Sequence, residues 1–143
     1  MFIGTYYHTL DEKSRVSVPK SFRTELTPGS ILTKGLDGCL FIFTAESWTK
    51  LVGKLETLPL ASKSARDFLR LLTYYATPLD TDKLGRTHLS ENLIHVARIK
   101  KDVVFAGALT RVELWDKHTY HAYLDNLESQ ESELSTSLSE LGI

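Results

Sequence analysis

The chain contains one nine-residue motif twice. Residues 11–19 read Asp-Glu-Lys-Ser-Arg-Val-Ser-Val-Pro, and residues 82–90 read Asp-Lys-Leu-Gly-Arg-Thr-His-Leu-Ser. Asp11 precedes Asp82 by 71 residues and Arg15 precedes Arg86 by the same 71, a fixed spacing that indicates a tandem repeat. After one inserted residue the spacing becomes 72 and is kept by Ile31/Val103, Gly35/Gly107, Ile42/Leu114, Phe43/Trp115, Trp48/Tyr120 and Val52/Leu124. Such a chain is constrained to fold as two copies of one unit.

Each copy begins with a polar turn that carries an arginine at its far end. Ser14 and Gly85 occupy the same place in the two turns; glycine tolerates a positive φ, and serine is a common turn residue. Apolar residues then alternate, as Val16 and Val18 do, which is typical of a half-buried strand. A short helix, a pair of strands and a longer helix complete the predicted unit.

Several residues of the kinds that start helices stand before the predicted helices. Pro19 and Ser90 precede the two short helices, the first of which is predicted over residues 20–26. The predicted starts of the three longer helices are Thr44, Ser62 and Asp116. The last helix is expected to run on through Leu134, Leu138 and Leu141, whose spacing suits an amphipathic or coiled-coil-like seam.

One such unit cannot bury both of its faces. Two copies can complete each other by pairing their hairpins around a local twofold axis, and closure into a small barrel would remove exposed strand edges. The predicted fold is mainly β with α-helices: a tandem-repeat β-barrel with pseudo-twofold symmetry and packed helices. The expected divisions are a first repeat over 1–58, a linking helix over 59–76, a second repeat over 77–124 and an acidic C-terminal helix or tail over 125–143.

Charge is distributed unevenly along the chain. The net charge is −1, yet residues 125–143 contain five acidic residues and no lysine or arginine, so residues 1–124 carry a balance of +4. This division predicts a basic body with an acidic arm, although a solvated surface whose charges are merely uneven would give the same distribution along the sequence. No apolar run approaches the ~20 residues that cross a bilayer, and Cys39 is the only cysteine, which together favour a cytoplasmic protein.

The two arginines of the motif are the main candidates for a binding site. Arg15 and Arg86 can each donate two hydrogen bonds to a guanine edge or clamp a phosphate. They can equally pair with Asp11 and Asp82 and brace the turns, and for one copy taken alone the bracing interpretation is favoured. The lysines of the same turns, Lys13 and Lys83, are candidates for phosphate contacts.

The other reactive residues are weaker candidates for a metal site or a catalytic site. His118 and His121 could share a helix face, but no third metal ligand lies near them in the sequence. Cys39 adjoins an apolar strand and is interpreted as a core residue. The carboxylates of the turns have no nucleophile or phosphate-binding glycine loop beside them. We therefore expect no enzyme activity, no cofactor or metal, and no small-molecule substrate.

Five segments together resemble a known family. They are Met-Phe-Ile-Gly at residues 1–4, the turn at residues 10–15, Val-Pro at residues 18–19, the loop at residues 35–39 and Glu-Leu-Trp-Asp at residues 113–116. In this order they resemble the MraZ family, bacterial two-repeat members of the AbrB/MazE-like (SpoVT-AbrB) swapped-hairpin proteins, over roughly residues 1–125. The resemblance implies a transcriptional regulator that binds repeated promoter elements of the division and cell-wall gene cluster, assembles into rings and associates with the nucleoid.

The chain departs from the family pattern at several positions. Ser14 stands where the first turn usually has glycine, and residues 87–90 replace the usual aliphatic residues and proline. In the second turn Lys83 follows Asp82 directly, so that Leu84 matches Lys13. These departures predict that the two turns contact DNA unequally, or that only one of them contacts it.

Three functional hypotheses follow. The first is an oligomeric, sequence-specific repressor that binds double-stranded promoter DNA through Lys13, Arg15, Lys83 and Arg86, oriented by Asp11 and Asp82, and gains avidity from repeated sites. The second is an antitoxin-like protein-interaction module acting through the C-terminal helix. The third, a hydrolase using the turn carboxylates, requires turnover that an Asp11→Asn, Asp82→Asn double variant would lose.

Overall fold

The two copies fold into the same order of elements. The computed structural model describes residues 1–26 and 28–143. The first copy comprises β1 (Thr5–Thr9), β2 (Arg15–Ser17), α1 (Lys20–Arg23), β3 (Ile31–Lys34), β4 (Leu40–Phe43) and α2 (Ala45–Leu55). After the linking helix α3 (Lys63–Tyr75), the second copy comprises β5 (Thr77–Pro78), β6 (Arg86–His88), α4 (Glu91–Val96), β7 (Asp102–Gly107), β8 (Arg111–Asp116) and α5 (Lys117–Ser129), and α6 (Glu131–Glu140) ends the chain.

The strands of the two copies are exchanged between them. A six-stranded antiparallel sheet has the order β1-β7-β8-β4-β3-β5, and a separate antiparallel ribbon consists of β2 and β6. Strand β1 of the first copy thus pairs with β7 of the second, and β5 of the second copy pairs with β3 of the first. The equivalent strands of the two copies are β1 and β5, β3 and β7, and β4 and β8. Replacing each strand by its equivalent gives the same order read from the other edge of the sheet, as a twofold axis requires.

Two cross-strand pairs locate this pseudo-twofold axis. In the ribbon Val16 pairs with Thr87, and in the large sheet Phe41 pairs with Glu113. The members of each pair are equivalent positions of the two copies, at offsets of 71 and 72. A residue can pair with its own equivalent only on the axis, so the predicted pseudo-twofold symmetry is confirmed.

The sheet does not close, and the expectation of a closed barrel is wrong. Its edges are β1 and β5, and β2 and β6 pair with each other instead of joining it. Strand β5 has only two residues, and its second is Pro78, which lacks the N–H that a ladder needs. The sheet-rich, mixed architecture with packed helices is otherwise as predicted.

The main core lies between the ribbon and one face of the large sheet. The inward side chains of the ribbon, Val16, Val18 and Leu89, are at most 1% exposed and pack with sheet residues such as Phe105 and Leu114. Because successive side chains of a strand point to opposite sides, this burial directs the remaining ribbon side chains away from the core.

The opposite face of the sheet is covered by helices. Trp115 lies against Tyr120 and Tyr123 of α5, with ring centroids 5.7 and 5.2 Å apart. On the other half of this face, Thr33 of β3 donates to the carbonyl of Leu72 in α3 at 2.7 Å. The helix α2 also covers this half.

Three predicted helix starts are confirmed by hydrogen bonds. Thr44, Ser62 and Asp116 accept through their side chains from the backbone N–H groups three residues later, at 3.0, 3.3 and 3.2 Å. Ser90 does precede α4, but its hydroxyl pairs with the Asn92 side chain instead of capping the helix. Pro19 precedes α1, which ends at Arg23, earlier than the predicted residue 26.

The C-terminal helix is interrupted. The prediction of one continuous helix is wrong, because Gln130 has φ −108° and ψ 16° and separates α5 from α6. Residues 128–143 are all exposed, including Leu134, Leu138 and Leu141. Within the described part of the chain, none of the helices is long and apolar enough to span a membrane.

Alanine substitutions at two glycines test this packing. A Cβ on Gly107 would lie 2.4 Å from the Ile3 backbone nitrogen, whereas a Cβ on Gly53 in α2 would meet nothing within 4 Å. We expect Gly107→Ala to lower the free energy of unfolding by about 1–3 kcal/mol, because backbone must move. Gly53→Ala should raise it by about 1 kcal/mol through helix propensity. Urea unfolding measures both, and equal effects would contradict the close approach at Gly107.

Candidate nucleic-acid interface

The first turn is closed by the carboxylate of Asp11. Its Oδ1 accepts from the backbone N–H groups of Lys13 and Arg15, both at 2.9 Å. Its Oδ2 accepts from Nε of Arg15 at 2.7 Å. Between these residues the backbone N–H of Ser14 donates to the Asp11 carbonyl at 3.1 Å. One side chain therefore fixes both the turn backbone and the direction of the arginine.

The second turn repeats this geometry bond for bond. Asp82 Oδ1 accepts from the N–H groups of Leu84 and Arg86, at 2.9 and 3.0 Å. Asp82 Oδ2 accepts from Nε of Arg86 at 2.8 Å. Leu84 therefore occupies the place of Lys13, as the repeat spacing indicates, and Lys83 occupies the place of Glu12.

The residue before each arginine adopts a left-handed conformation. Ser14 has φ 58° and Gly85 has φ 78°, so the turn geometry requires positive φ in both copies. At Gly85 the space for a side chain is also taken, because an added Cβ would lie 2.1 Å from Nη1 of Arg23. Arg23 is held there by its Nε, which donates to the Val18 carbonyl at 3.0 Å.

The two turns are joined through the ribbon. The N–H of Val18 donates to the Gly85 carbonyl, and the N–H of Leu89 donates to the Ser14 carbonyl, both at 2.9 Å. Each turn is thus bonded to the strand end of the other copy. The predicted pairing of the two copies thus places one turn at each end of the same short ribbon.

Four side chains form the outward face of the ribbon, which we call the ribbon face. They are Arg15, Ser17, Arg86 and His88, and Arg15 lies opposite His88 while Ser17 lies opposite Arg86. The side chains of Arg15 and Arg86 are 32% and 29% exposed. Nη1 of Arg86 also lies 4.0 Å from Oδ2 of Asp11, so the two ion pairs of the turns are neighbours.

Sequence reasoning overlooked part of this face. Neither Ser17 nor His88 was among the binding residues that the sequence predicted. Their alternation with the buried Val16, Thr87 and Leu89 was the signal that places them beside the arginines.

Further basic residues surround the turns. Lys13 and Lys83 are both exposed, but they hold different places in their turns. A surface cleft beside the first turn is lined by Lys100 and Lys101, together with Asp11 and Glu12. The second turn has Arg23 instead. Each turn therefore has basic residues beside it, and these residues are not equivalent in the two copies.

The hydrogen bonds of the turns stabilise the ionised carboxylates. The backbone N–H of Arg15 is the largest influence that lowers the pKa of Asp11, and its side chain adds to the effect. Arg86 lowers the pKa of Asp82 in the same way. A carboxylate with a lowered pKa and three N–H donors is a poor general base. This geometry supports a bracing role for the two aspartates.

The other reactive residues have structural contacts. Cys39 is 2% exposed, and burial, with a smaller effect of Glu113, raises the pKa of its thiol to about 12, so it is a core residue as predicted. His121 stacks on Tyr7 with ring centroids 5.8 Å apart. In residues 1–26 and 28–143 no group of three or more His, Cys, Asp or Glu side chains is arranged to hold a metal ion.

The exchanged strands, the pseudo-twofold ribbon and the two braced turns define a two-repeat protein of the AbrB-like swapped-hairpin class. A sequence profile described as "MraZ protein, putative antitoxin-like" matches residues 1–71 and 73–139. The chain belongs to the MraZ family, as the motifs of the sequence predicted.

Relatives named "Transcriptional regulator MraZ" match the chain over its whole length. The protein of Thermoanaerobacter pseudethanolicus is 44% identical over 143 residues, with 100% of both chains covered. Those of Clostridium tetani and Halothermothrix orenii are 43% and 41% identical, again with 100% of both chains covered. These names place the chain in a family of transcriptional regulators.

The turn carboxylates predict a loss of stability in acid. Some carboxyl groups have a lower pKa in the folded chain than in the unfolded chain. Such a group stabilises the fold at pH values above its ordinary pKa, here 3.8. This stabilisation is lost as the pH falls through the pKa of the folded chain. We expect the free energy of unfolding to fall more steeply between about pH 5 and pH 2.5 in the wild type than in an Asp11→Asn, Asp82→Asn variant. Chemical unfolding at each pH measures this free energy. If it falls equally steeply in the wild type and in the variant, the acid sensitivity belongs to other carboxyl groups.

Proposed function

We propose that this protein is a sequence-specific repressor that binds double-stranded promoter DNA through the ribbon face and the two turns that flank it. The observation that carries the proposal is the placement of Arg15 and Arg86, one from each repeat, on a single exposed face. The proposed target is the repeated promoter elements of the division and cell-wall gene cluster, in a cytoplasmic, nucleoid-associated protein.

Bracing and DNA contact are compatible at each arginine. Arg15 and Arg86 use Nε to bind their own aspartates. Within the described part of the chain no hydrogen bond occupies the terminal Nη groups of Arg15, and Arg86 has only a 4.0 Å approach to Asp11. The Nη groups are the ones that can donate two parallel bonds to guanine O6 and N7. An oriented guanidinium also loses less side-chain entropy when it binds.

The shape of the site suits duplex DNA. The major groove admits a two-stranded β-ribbon, and the side chains of one ribbon face can then reach base edges. The core residues Val16, Val18 and Leu89 hold this ribbon rigidly against the sheet. On this proposal Ser17 and His88 lie beside the arginines against bases or backbone, and Lys13 and Lys83 contact phosphates on either side.

The net charge of −1 does not oppose this proposal, because residues 125–143 carry five acidic residues and no lysine or arginine, which leaves a balance of +4 on residues 1–124. A single ribbon would bind with modest affinity, and several copies engaging repeated elements would gain avidity through effective concentration. We therefore include a ring-like homo-oligomer in the proposal, and we retain the division into repeats 1–58 and 77–124, linking helix 59–76 and tail 125–143.

Catalysis is not part of the proposal. A hydrolase would need one turn carboxylate as a general base, yet Asp11 and Asp82 already accept three N–H groups each and have lowered pKa values. The proposed partners are promoter DNA and further copies of the chain, without a cofactor or small-molecule substrate.

The test is a fluorescence-anisotropy titration of promoter DNA from the chain's own division gene cluster, against scrambled DNA, at two salt concentrations. We expect Arg15→Ala and Arg86→Ala to lose about 1–3 kcal/mol of discrimination each. Arg15→Lys should keep non-specific affinity and lose discrimination, because lysine cannot make the bidentate contact. Lys13→Ala should reduce the salt slope by about 0.9.

The control variant is Arg70→Ala, which removes one exposed positive charge from α3, away from the ribbon. It should bind promoter DNA like the wild type, and circular dichroism should confirm folding of every variant. The proposal is wrong if the wild type does not distinguish promoter from scrambled DNA, or if both ribbon arginines can be removed without effect.

A second candidate function is an antitoxin-like module that binds a partner protein through α6. The observation that favours it is the exposure of Leu134, Leu138 and Leu141, which are 44%, 45% and 75% exposed. Removing residues 128–143 separates the two functions. Binding to DNA that contains a single promoter element should survive this deletion, whereas binding of a partner protein should be lost.

A further inference from the structure

An open groove lies on the sheet face opposite the ribbon. It is bounded by α2, α3 and neighbouring parts of β4 and β8, has a volume of about 420 Å³, and is called the α2–α3 groove below. Its apolar lining includes Phe41, Phe43, Leu51 and Phe68. Phe68 is 37% exposed, and Leu36 at the same groove is 54% exposed. A contiguous exposed apolar surface of this kind indicates a binding site for a protein segment.

The charged side chains that line this groove are all basic. Lys50, Lys54 and Arg111 are its charged lining residues. Lys50 pairs with Glu46 and Arg111 with Glu113, whereas Lys54 has no ion pair within the described part of the chain. The occupant expected from this surface is an amphipathic segment with an apolar stripe and acidic flanks.

The tail of the chain has the complementary pattern. Leu134, Leu138 and Leu141 are spaced by four and three residues and so share one face of α6. Glu131 lies on one side of this face and Glu133 and Glu140 on the other, and residues 125–143 contain no lysine or arginine. Both the apolar stripe and the charge of α6 therefore match the α2–α3 groove.

The helix α6 is poorly stabilised on its own. It has ten residues, and the hydroxyl groups of Thr136, Ser137 and Ser139 donate to carbonyl groups four residues earlier. Helices of this length are marginal in water, and such hydroxyl bonds do not strengthen them. A surface that buries the leucine stripe would supply the missing stabilisation.

We propose that α6 of one copy docks into the α2–α3 groove of a second copy. Pairing of two tails would instead bring together helices that are both acidic, which like-charge repulsion opposes. Docking within one chain is disfavoured because only Gln130 separates α6 from α5, and α5 is held against Trp115 by Tyr120 and Tyr123. In the single chain, residues 128–143 remain exposed and the groove remains open.

This contact would define the geometry of self-association. It joins two different surfaces, so each copy offers both a tail and a groove, and head-to-tail contacts of this type form rings when the rotation closes. The groove is on the opposite sheet face from the ribbon, which leaves the ribbon face open for DNA. The inference rests on the proposed self-association and is independent of DNA binding.

The experiment uses full-length chains and sedimentation velocity over a range of concentrations. The tail variant is Leu134→Ser, Leu138→Ser, and the groove variant is Phe68→Ser, Lys54→Glu, two positions that are exposed in the single chain. The control is Ser132→Ala, Thr136→Ala, on the side of α6 opposite the leucines. Circular dichroism and unfolding curves establish that each variant is folded.

We expect the tail and groove variants each to raise the apparent dissociation constant of the oligomer about tenfold or more, as loss of central apolar contacts does. The control should associate like the wild type. Mixing the tail variant with the groove variant should restore association only as far as one-to-one pairs, because the intact tail of one fits the intact groove of the other while the remaining tail and groove of the pair are both mutated. Differently labelled chains would show that the restored species contains both variants.

Other results would overturn the inference in distinguishable ways. Loss of association in the tail variant alone would indicate pairing between tails. An oligomer that neither variant changes would show that self-association uses other surfaces. A mixture that restores no pairs would show that the tail and the groove do not bind each other. A wild type that stays monomeric at all concentrations would contradict the proposed self-association itself.

Discussion

The pairing of β2 with β6 is the contact on which the rest of the structure depends. It joins the Ser14 carbonyl to Leu89 and the Gly85 carbonyl to Val18, so each turn is completed by the other copy. It also places Val16 and Thr87 on the pseudo-twofold axis and directs the inward side chains into the core. Neither repeat could form this ribbon alone, and the proposed DNA surface exists only where the two repeats cross.

The symmetry of the backbone is not matched by the side chains. Lys13 corresponds to Leu84, Ser17 to His88, and Arg23 to Ile94. The bonds made by Asp11 and Asp82 are nevertheless the same in both turns. The turn geometry requires the aspartate and the arginine in both copies, whereas the residues around them differ between the copies. On the proposed function, one ribbon therefore presents two similar arginines in different surroundings, which suits an asymmetric recognition element.

The sequence predicted those features that depend on local chemistry and on the repeat spacing. Asp11 and Arg15 at a spacing of four, with Ser14 between them, specify a braced turn, and the constant offset specifies the pseudo-twofold axis. The open sheet was not predictable in this way, because it depends on which strands meet at the edges and on the short β5 ending at Pro78. The break at Gln130 was also missed, since continued leucine spacing conceals an interruption of the backbone. Ser17 was missed because its importance comes from the partner strand and not from its own segment.

Placement of the DNA surface and the groove on opposite faces connects the two proposals. Along β4 and β8, Ile42 and Leu114 point into the core beneath the ribbon, whereas Phe41, Phe43 and Arg111 point into the groove. A tail that docks in the groove of a second copy would bring its acidic residues to Lys50 and Lys54 and away from the phosphates of bound DNA. Association would then neutralise the negative charge of the tail, which offsets the positive balance of residues 1–124 in the single chain. It would also leave a series of ribbon faces at fixed separations. Repeated DNA elements with a matching spacing would gain affinity from every additional copy, without any change in the contacts of a single ribbon.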